Sequence, residues 1–97
     1  MTKSKPISEL IKLIEKEYLK KNYKSAIIYL NKIIEIEPFD ASHYFLRGQA
    51  KSQLKDLQGA IHDLTKAIEI DPYDNDFYIE RAKIKFASGD YRGVIAE

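Results

Sequence analysis

The sequence predicts an all-α protein built as a stack of antiparallel helix pairs. One phrase recurs 34 residues apart, Ile-Glu-Ile-Glu-Pro at 34–38 and Ile-Glu-Ile-Asp-Pro at 68–72. Between these phrases the apolar residues are spaced by three and four, which is the period of one helix face. A fixed period between about 20 and 50 residues is typical of stacked repeats. Such arrays expose an extended surface, so the pattern favours partner binding over catalysis.

The apolar spacing divides the chain into six helical segments. Ile7, Leu10, Ile11 and Ile14 form one stripe in the first segment, and comparable stripes follow in the others. The predicted helices span residues 7–20, 23–36, 41–54, 57–70, 75–88 and 91–97. Only a few residues connect them, so we expect sequential helices to pack antiparallel.

Prolines and acidic residues mark the boundaries between repeats. Pro38 and Pro72 end the preceding helices, because proline lacks an amide hydrogen and restricts the residue before it. Asp40 and Asp74 are predicted to cap the next helices by accepting hydrogen bonds from free amides. Turns within the repeats are predicted at Asn22, at Asp56 and at residues 89–90.

The second repeat carries the most complete motif. Tyr44, Gly48, the pair Ala60 and Leu64, and Pro72 occupy its characteristic places. With these residues the chain resembles the tetratricopeptide repeat, a helix–turn–helix unit of 34 residues. The resemblance implies a right-handed superhelical α-solenoid with two full repeats, 7–40 and 41–74, and a truncated third, 75–97. Residues 1–6 would form an N-terminal tail.

Basic residues replace apolar ones at two places of the motif. Arg47 and Arg81 stand where leucine is usual, and Lys51 and Lys85 stand where tyrosine is usual. They could form a basic ladder that reaches a ligand. Alternatively, their aliphatic stems pack between helices while their charged groups reach carboxylates such as Asp63. We favour the second interpretation.

Composition narrows the classes of function. The absence of cysteine excludes disulfides and thiolate zinc sites, and it fits a reducing compartment. No apolar run approaches the ~20 residues of a membrane span, so we expect a cytoplasmic protein without a membrane partner. Residues 1–32 hold eight lysines against three acidic residues. We interpret this excess as a solvated helix face, with an acidic partner as the alternative.

No combination of residues predicts catalysis, a metal site or a cofactor. His43 and His62 are 19 residues apart without cysteine or a close carboxylate pairing, so we interpret both as surface histidines. The serines lack the context of a nucleophile, and the glycines form no phosphate-binding loop. Residues 71–76 are rich in oxygen ligands but lack the terminal glutamate of a calcium loop. We therefore predict a protein that is not an enzyme.

The resemblance implies that the first helix of each repeat lines a concave groove. Carried over by register, the groove residues are Ile11, Glu15, Tyr18, Phe45, Gln49, Asp76, Ile79, Lys83 and Phe86. Clustered exposed apolar residues mark partner sites, with aromatic residues as anchors. Alternatively, Phe45 and Ile79 fill gaps between helices.

A well-known version of the fold grips a C-terminal carboxylate with lysine, arginine and asparagine. The matching places here hold Ile11, Glu15, Leu46, Asp76 and Glu80, which are apolar or acidic. Carboxylates would repel a terminal carboxylate, so we expect a protein or peptide ligand with an apolar anchor and a basic flank.

Two other functions remain open at this point. The third repeat ends before its second helix is complete, which leaves Tyr91, Val94 and Ile95 without a capping helix. The chain is then either a fragment of a longer array or a self-associating scaffold. Nucleic-acid binding through the lysine-rich end is the weaker hypothesis, because arginine is absent there.

Overall fold

The computed structural model describes residues 6–89 and contains five helices in that range. They are α1 (Ile7–Leu19), α2 (Tyr23–Ile36), α3 (Ala41–Gln53), α4 (Leu57–Ile70) and α5 (Asn75–Ser88). The five predicted segments are confirmed to within one residue at each end. The sixth, 91–97, lies outside the described residues. None of the five helices combines the length and apolarity that a bilayer span requires.

Aspartates begin three of the helices, as local physical chemistry requires. The Asp40 carboxylate accepts a hydrogen bond from the Ser42 amide at 3.0 Å, and Asp74 accepts one from the Asp76 amide at 2.9 Å. Both predicted caps are confirmed. The Ser42 hydroxyl also donates to Asp40, and this bond lowers the pKa of the Asp40 carboxyl. Asp56, predicted only as a turn residue, caps α4 as well.

Each loop between repeats is tied to the helix that follows it. The Tyr44 hydroxyl donates to the Pro38 carbonyl at 2.9 Å, and the Tyr78 hydroxyl donates to the Pro72 carbonyl at the same distance. The two bonds stand one repeat apart. The motif therefore places a tyrosine where it orients both its own helix and the preceding proline loop.

The buried core forms two clusters. The larger one has members from α1 to α5, among them Leu10, Leu30, Ile33, Tyr44, Ala67 and Phe77. The smaller one joins α4 to α5 through Ala60, Leu64 and Ile84. Each helix packs against the next, and α3 also contacts α5. Gly48 lets α3 approach α4, because a Cβ atom there would lie 3.2 Å from the Ala60 carbonyl oxygen.

A buried carboxylate joins α3 to α4. Arg47 donates through Nε and Nη2 to the two Asp63 oxygens at 2.9 and 2.8 Å, and Lys51 Nζ lies 3.1 Å from Asp63. The Asp63 side chain is 1% exposed. These hydrogen bonds raise the pKa of Arg47. For Arg47 and Lys51, the interpretation as partners of Asp63 is confirmed.

The same position of each repeat has a left-handed backbone. Lys21 has φ of 60°, Lys55 of 71° and Gly89 of 89°. Only the third repeat places glycine at this turn. A side chain in the left-handed region is strained by its Cβ atom, so the first two turns carry a cost that the third avoids.

Replacing Lys55 or Lys21 by glycine should therefore stabilise the fold. We expect each substitution to raise the free energy of unfolding by about 0.5–1 kcal/mol, since the relieved strain exceeds the added flexibility of the unfolded chain. Urea denaturation measures the change. Lys20→Gly is the matched control, because Lys20 has φ of −81° and gains nothing from glycine. An equal gain in the control would contradict the assignment of strain.

Removing the Asp63 carboxylate should destabilise the protein strongly. We expect Asp63→Ala to cost about 3–5 kcal/mol in unfolding free energy, because Arg47 and Lys51 then lose their buried counter-charge. Glu69→Ala is the control. Its contact with Lys66 is an exposed pair at 4.0 Å, and its loss should cost less than about 1 kcal/mol. If the two substitutions lowered the free energy of unfolding by similar amounts, the buried ion pairs of Asp63 would not be important for stability.

Candidate functional site

A cleft separates the first helices of the first two repeats. Among residues 6–89, no Cα atom of α1 lies within 8 Å of a Cα atom of α3, and α2 packs against both helices. The opening has a volume of about 600 Å³. It is lined by Ile14, Glu15, Tyr18, Leu19 and Leu46. An adjoining part adds Ile11, Ser42 and His43.

Tyr18 bridges the cleft. Its hydroxyl donates to the Leu46 carbonyl across the gap, and its ring meets Tyr23 edge-on with centroids 5.5 Å apart. Burial raises the pKa of Tyr18, so the hydroxyl stays protonated and remains a donor at neutral pH. The Glu80 carboxylate of α5 raises this pKa further.

The floor of the cleft is apolar and its rim carries charge. Ile14 is buried and Leu46 is half-buried, whereas Glu15 is exposed at the edge. Hydrocarbon lining with few polar groups is the composition of protein sites that bury an apolar ligand group. The carboxylate at the rim would orient a cationic group next to such an anchor.

A second apolar surface lies on α5. It is lined by Ile79, Ala82, Lys83 and Phe86. Ile79 is 52% exposed and Phe86 is 58% exposed, so this helix presents large apolar side chains at its surface. Lys83 is the charged residue that lines this surface, as Glu15 is the charged residue that lines the cleft.

Phe45 packs towards α5. It is half-buried, and its ring is tilted against Phe77 with centroids 5.2 Å apart. It packs against both core clusters. Phe45 therefore contributes to the contact between α3 and α5.

Six of the nine predicted groove residues line one of the two surfaces described above. Ile11, Glu15 and Tyr18 line the α1–α3 cleft, and Ile79, Lys83 and Phe86 share the surface of α5. Gln49 is half-buried on α3, and Asp76 is exposed in the first turn of α5. The residues proposed for self-association, Tyr91, Val94 and Ile95, lie outside the described residues.

Leu46, Leu19 and Ala82 line these surfaces but were absent from the predicted groove. Leu46 is adjacent to Phe45, and register alone assigned the groove position to the phenylalanine. Tyr18 and Leu46 are both apolar positions in the first helices of the first two repeats, and this pattern is visible in the sequence. Recognising that they face one cleft requires the distance between α1 and α3, which sequence spacing does not show.

The two histidines differ in their surroundings. His62 is exposed as expected, but the surface assignment of His43 is wrong, since His43 is only 6% exposed. Its Nε2 lies 2.9 Å from Glu37 and 3.4 Å from Asp40, so carboxylates of the preceding loop satisfy the buried ring. Ligand atoms of the three residues lie within 4.8 Å of one another and could together hold a cation. The hydrogen bond between His43 and Glu37 already accounts for this arrangement.

Comparison with known proteins places this geometry in a family. The model of the tetratricopeptide repeat matches residues 18–40 and 41–74. A comparison with curated proteins finds no significant match. Among solved structures, the TPR2B domain of yeast Sti1, in complex with pHsp70, is similar with a TM-score of 0.82 and 30% identity. That similarity covers 87% of this chain and 67% of the Sti1 chain.

Two further structures share the fold. The TPR domain of Arabidopsis OM64 has a TM-score of 0.84 at 23% identity, covering 90% of this chain and 72% of the other. MamA from Desulfovibrio magneticus RS-1, residues 41 to the end, has a TM-score of 0.80 at 23% identity, covering 84% and 46%. The matched repeats, the order of the helices and the repeated tyrosine–proline hydrogen bonds all support the same assignment. The chain belongs to the tetratricopeptide repeat family.

Proposed function

We propose that this chain binds a peptide or helix of a protein partner in the α1–α3 cleft and along the exposed face of α5. The tetratricopeptide fold is that of a protein–protein interaction module. The observation that carries the proposal is the cleft of about 600 Å³ with an apolar floor of Ile14 and Leu46. In the proposed role the chain positions a partner and performs no catalysis.

The cleft suits an apolar anchor on the ligand. Ile14, Leu46 and the Tyr18 ring surround a space that readily admits a leucine- or phenylalanine-sized group. Burying such a group contributes about 1.5–3 kcal/mol. Tyr18 is already tied to Leu46, so this part of the site loses little freedom when a ligand binds. Ile79 and Phe86 would contact the same ligand further along the stack.

The charges near the cleft favour a basic flank on that ligand. Glu15 stands at the rim, Asp76 is exposed and Glu80 is close enough to perturb Tyr18. A free C-terminal carboxylate would meet repulsion from these groups. Yeast Sti1 shows that a similar scaffold forms a complex with pHsp70. We infer that this chain selects a ligand of different charge.

Reversing the charge at the rim should weaken the binding of a basic peptide. The probe is a fluorescein-labelled, C-terminally amidated peptide with two leucines flanked by lysines, followed by anisotropy. We expect Glu15→Lys to reduce affinity about fivefold or more, because it repels the lysine flank. Glu9→Lys on α1 is the control, since it makes the same charge change at an exposed position that does not line the cleft.

Two results would count against this site. One is equal loss of affinity in Glu15→Lys and Glu9→Lys, which would indicate only a general charge effect. The other is tighter binding of a matched peptide that has acidic residues and a free C-terminus. Leu46→Ser tests the apolar floor separately, and urea unfolding of that variant distinguishes lost binding from lost folding.

A further inference from the structure

The connections of the stack alternate between two opposite edges. Because sequential helices are antiparallel, the turns after α1 and α3 lie on one edge and the loops after α2 and α4 lie on the other. We call residues 16–24 and 51–56 the lysine edge, and residues 35–40 and 69–76 the acidic edge. Each helix pair adds one segment to each edge, so residues one repeat apart in sequence occupy equivalent places along the same edge.

The acidic edge combines carboxylates with two exposed rings. It contains seven acidic residues and no lysine or arginine: Glu35, Glu37, Asp40, Glu69, Asp71, Asp74 and Asp76. Phe39 is 80% exposed and Tyr73 is 91% exposed, at the same place in successive repeats. Large aromatic side chains that are exposed in register form a patch typical of an interaction surface. The negative charge selects a cationic partner.

Both rings are held by rigid loops. The carbonyl just before each ring accepts the tyrosine hydroxyl of the following helix at 2.9 Å. Just after each ring, Asp40 or Asp74 caps that helix. The Tyr73 amide also donates to Asp71 at 3.3 Å. Because the backbone on both sides is fixed, contact with these rings costs little ordering entropy.

The lysine edge offers the complementary chemistry. Six lysines, at 16, 20, 21, 24, 51 and 55, stand there against Glu17 and Asp56. Lys51 is engaged with the buried Asp63, so the other five are available to a partner. Lys21 and Lys55 occupy the same left-handed turn position one repeat apart. Two apolar side chains accompany them, since Leu19 is 86% exposed and Leu54 is 40% exposed.

We propose that the acidic edge of one copy binds the lysine edge of a second copy. Phe39 and Tyr73 would pack on Leu19 and Leu54, while lysine ammonium groups meet carboxylates and ring faces. The two edges match in spacing because one repeat unit generates both of them. The contact joins different surfaces and leaves an edge unused on each copy, so association is open-ended. Of the side chains named in this contact, only Leu19 also lines the α1–α3 cleft.

Charge reversal provides a mixing test. Glu35→Lys/Glu69→Lys weakens the formal charge of the acidic edge from −7 to −3, and Lys20→Glu/Lys55→Glu weakens that of the lysine edge from +4 to 0. All four residues are exposed and none is a helix cap that accepts a side-chain hydrogen bond. We expect each double variant alone to show a smaller rise above the 11.3 kDa monomer mass than wild type in light scattering. Their equimolar mixture should regain an increased mass at about 50 mM salt and lose it at about 500 mM.

The wild-type chain and an aromatic variant complete the test. Wild type should show a concentration-dependent rise in mass that Phe39→Ser/Tyr73→Ser abolishes. Ile28→Ser, at an exposed position of α2 away from both edges, should leave the rise unchanged. A wild-type mass that stays at 11.3 kDa at low salt would overturn the proposal. If that monomer bound a free hexalysine peptide, the acidic edge would belong to a cationic partner instead.

Discussion

Each helix pair in this chain leaves an apolar face that only the next pair can cover. The core therefore cannot be divided by repeat. Leu10 and Ile14 of α1 belong to the same buried cluster as Ala67 of α4 and Phe77 of α5. Burial of apolar surface drives the stacking, and proline loops and aspartate caps set where each pair begins. Helix order, cleft and edges all follow from this shared core.

The packing of the helices also determines which polar side chains are used within the fold. Asp63 is enclosed where α3 crosses α4, so Arg47 and Lys51 are engaged as structural counter-charges. Arg81 has no carboxylate partner among the contacts described for it; it donates to Thr65 at 3.2 Å and lies over the Tyr78 ring. The same motif position thus carries an ion pair in one repeat and a neutral hydrogen bond in the next. The character of such a residue depends on the helix it faces.

The surfaces proposed for partner binding lie where two helices stay apart and where the chain turns. The α1–α3 cleft exists because α2 packs against both helices while their backbones stay apart. Tyr18 spans this gap and keeps a hydrogen-bonded, apolar-lined opening. At the edges, the loops expose Phe39 and Tyr73 because their backbone neighbours are already committed to capping and to tyrosine bonds. Surface chemistry and fold thus come from the same repeated residues.

The sequence by itself determined the helices, their caps, the repeat period and the family, because these depend on local spacing and on chemistry within a few residues. Only the tertiary structure decided that Leu46 lines the cleft while Phe45 packs on Phe77. It also decided that His43 is buried beside Glu37. The first outcome depends on the distance between helices that are not consecutive, and the second on how the α2–α3 loop lies against His43. Apolar periodicity identifies the inward face of a helix, but it does not measure that distance.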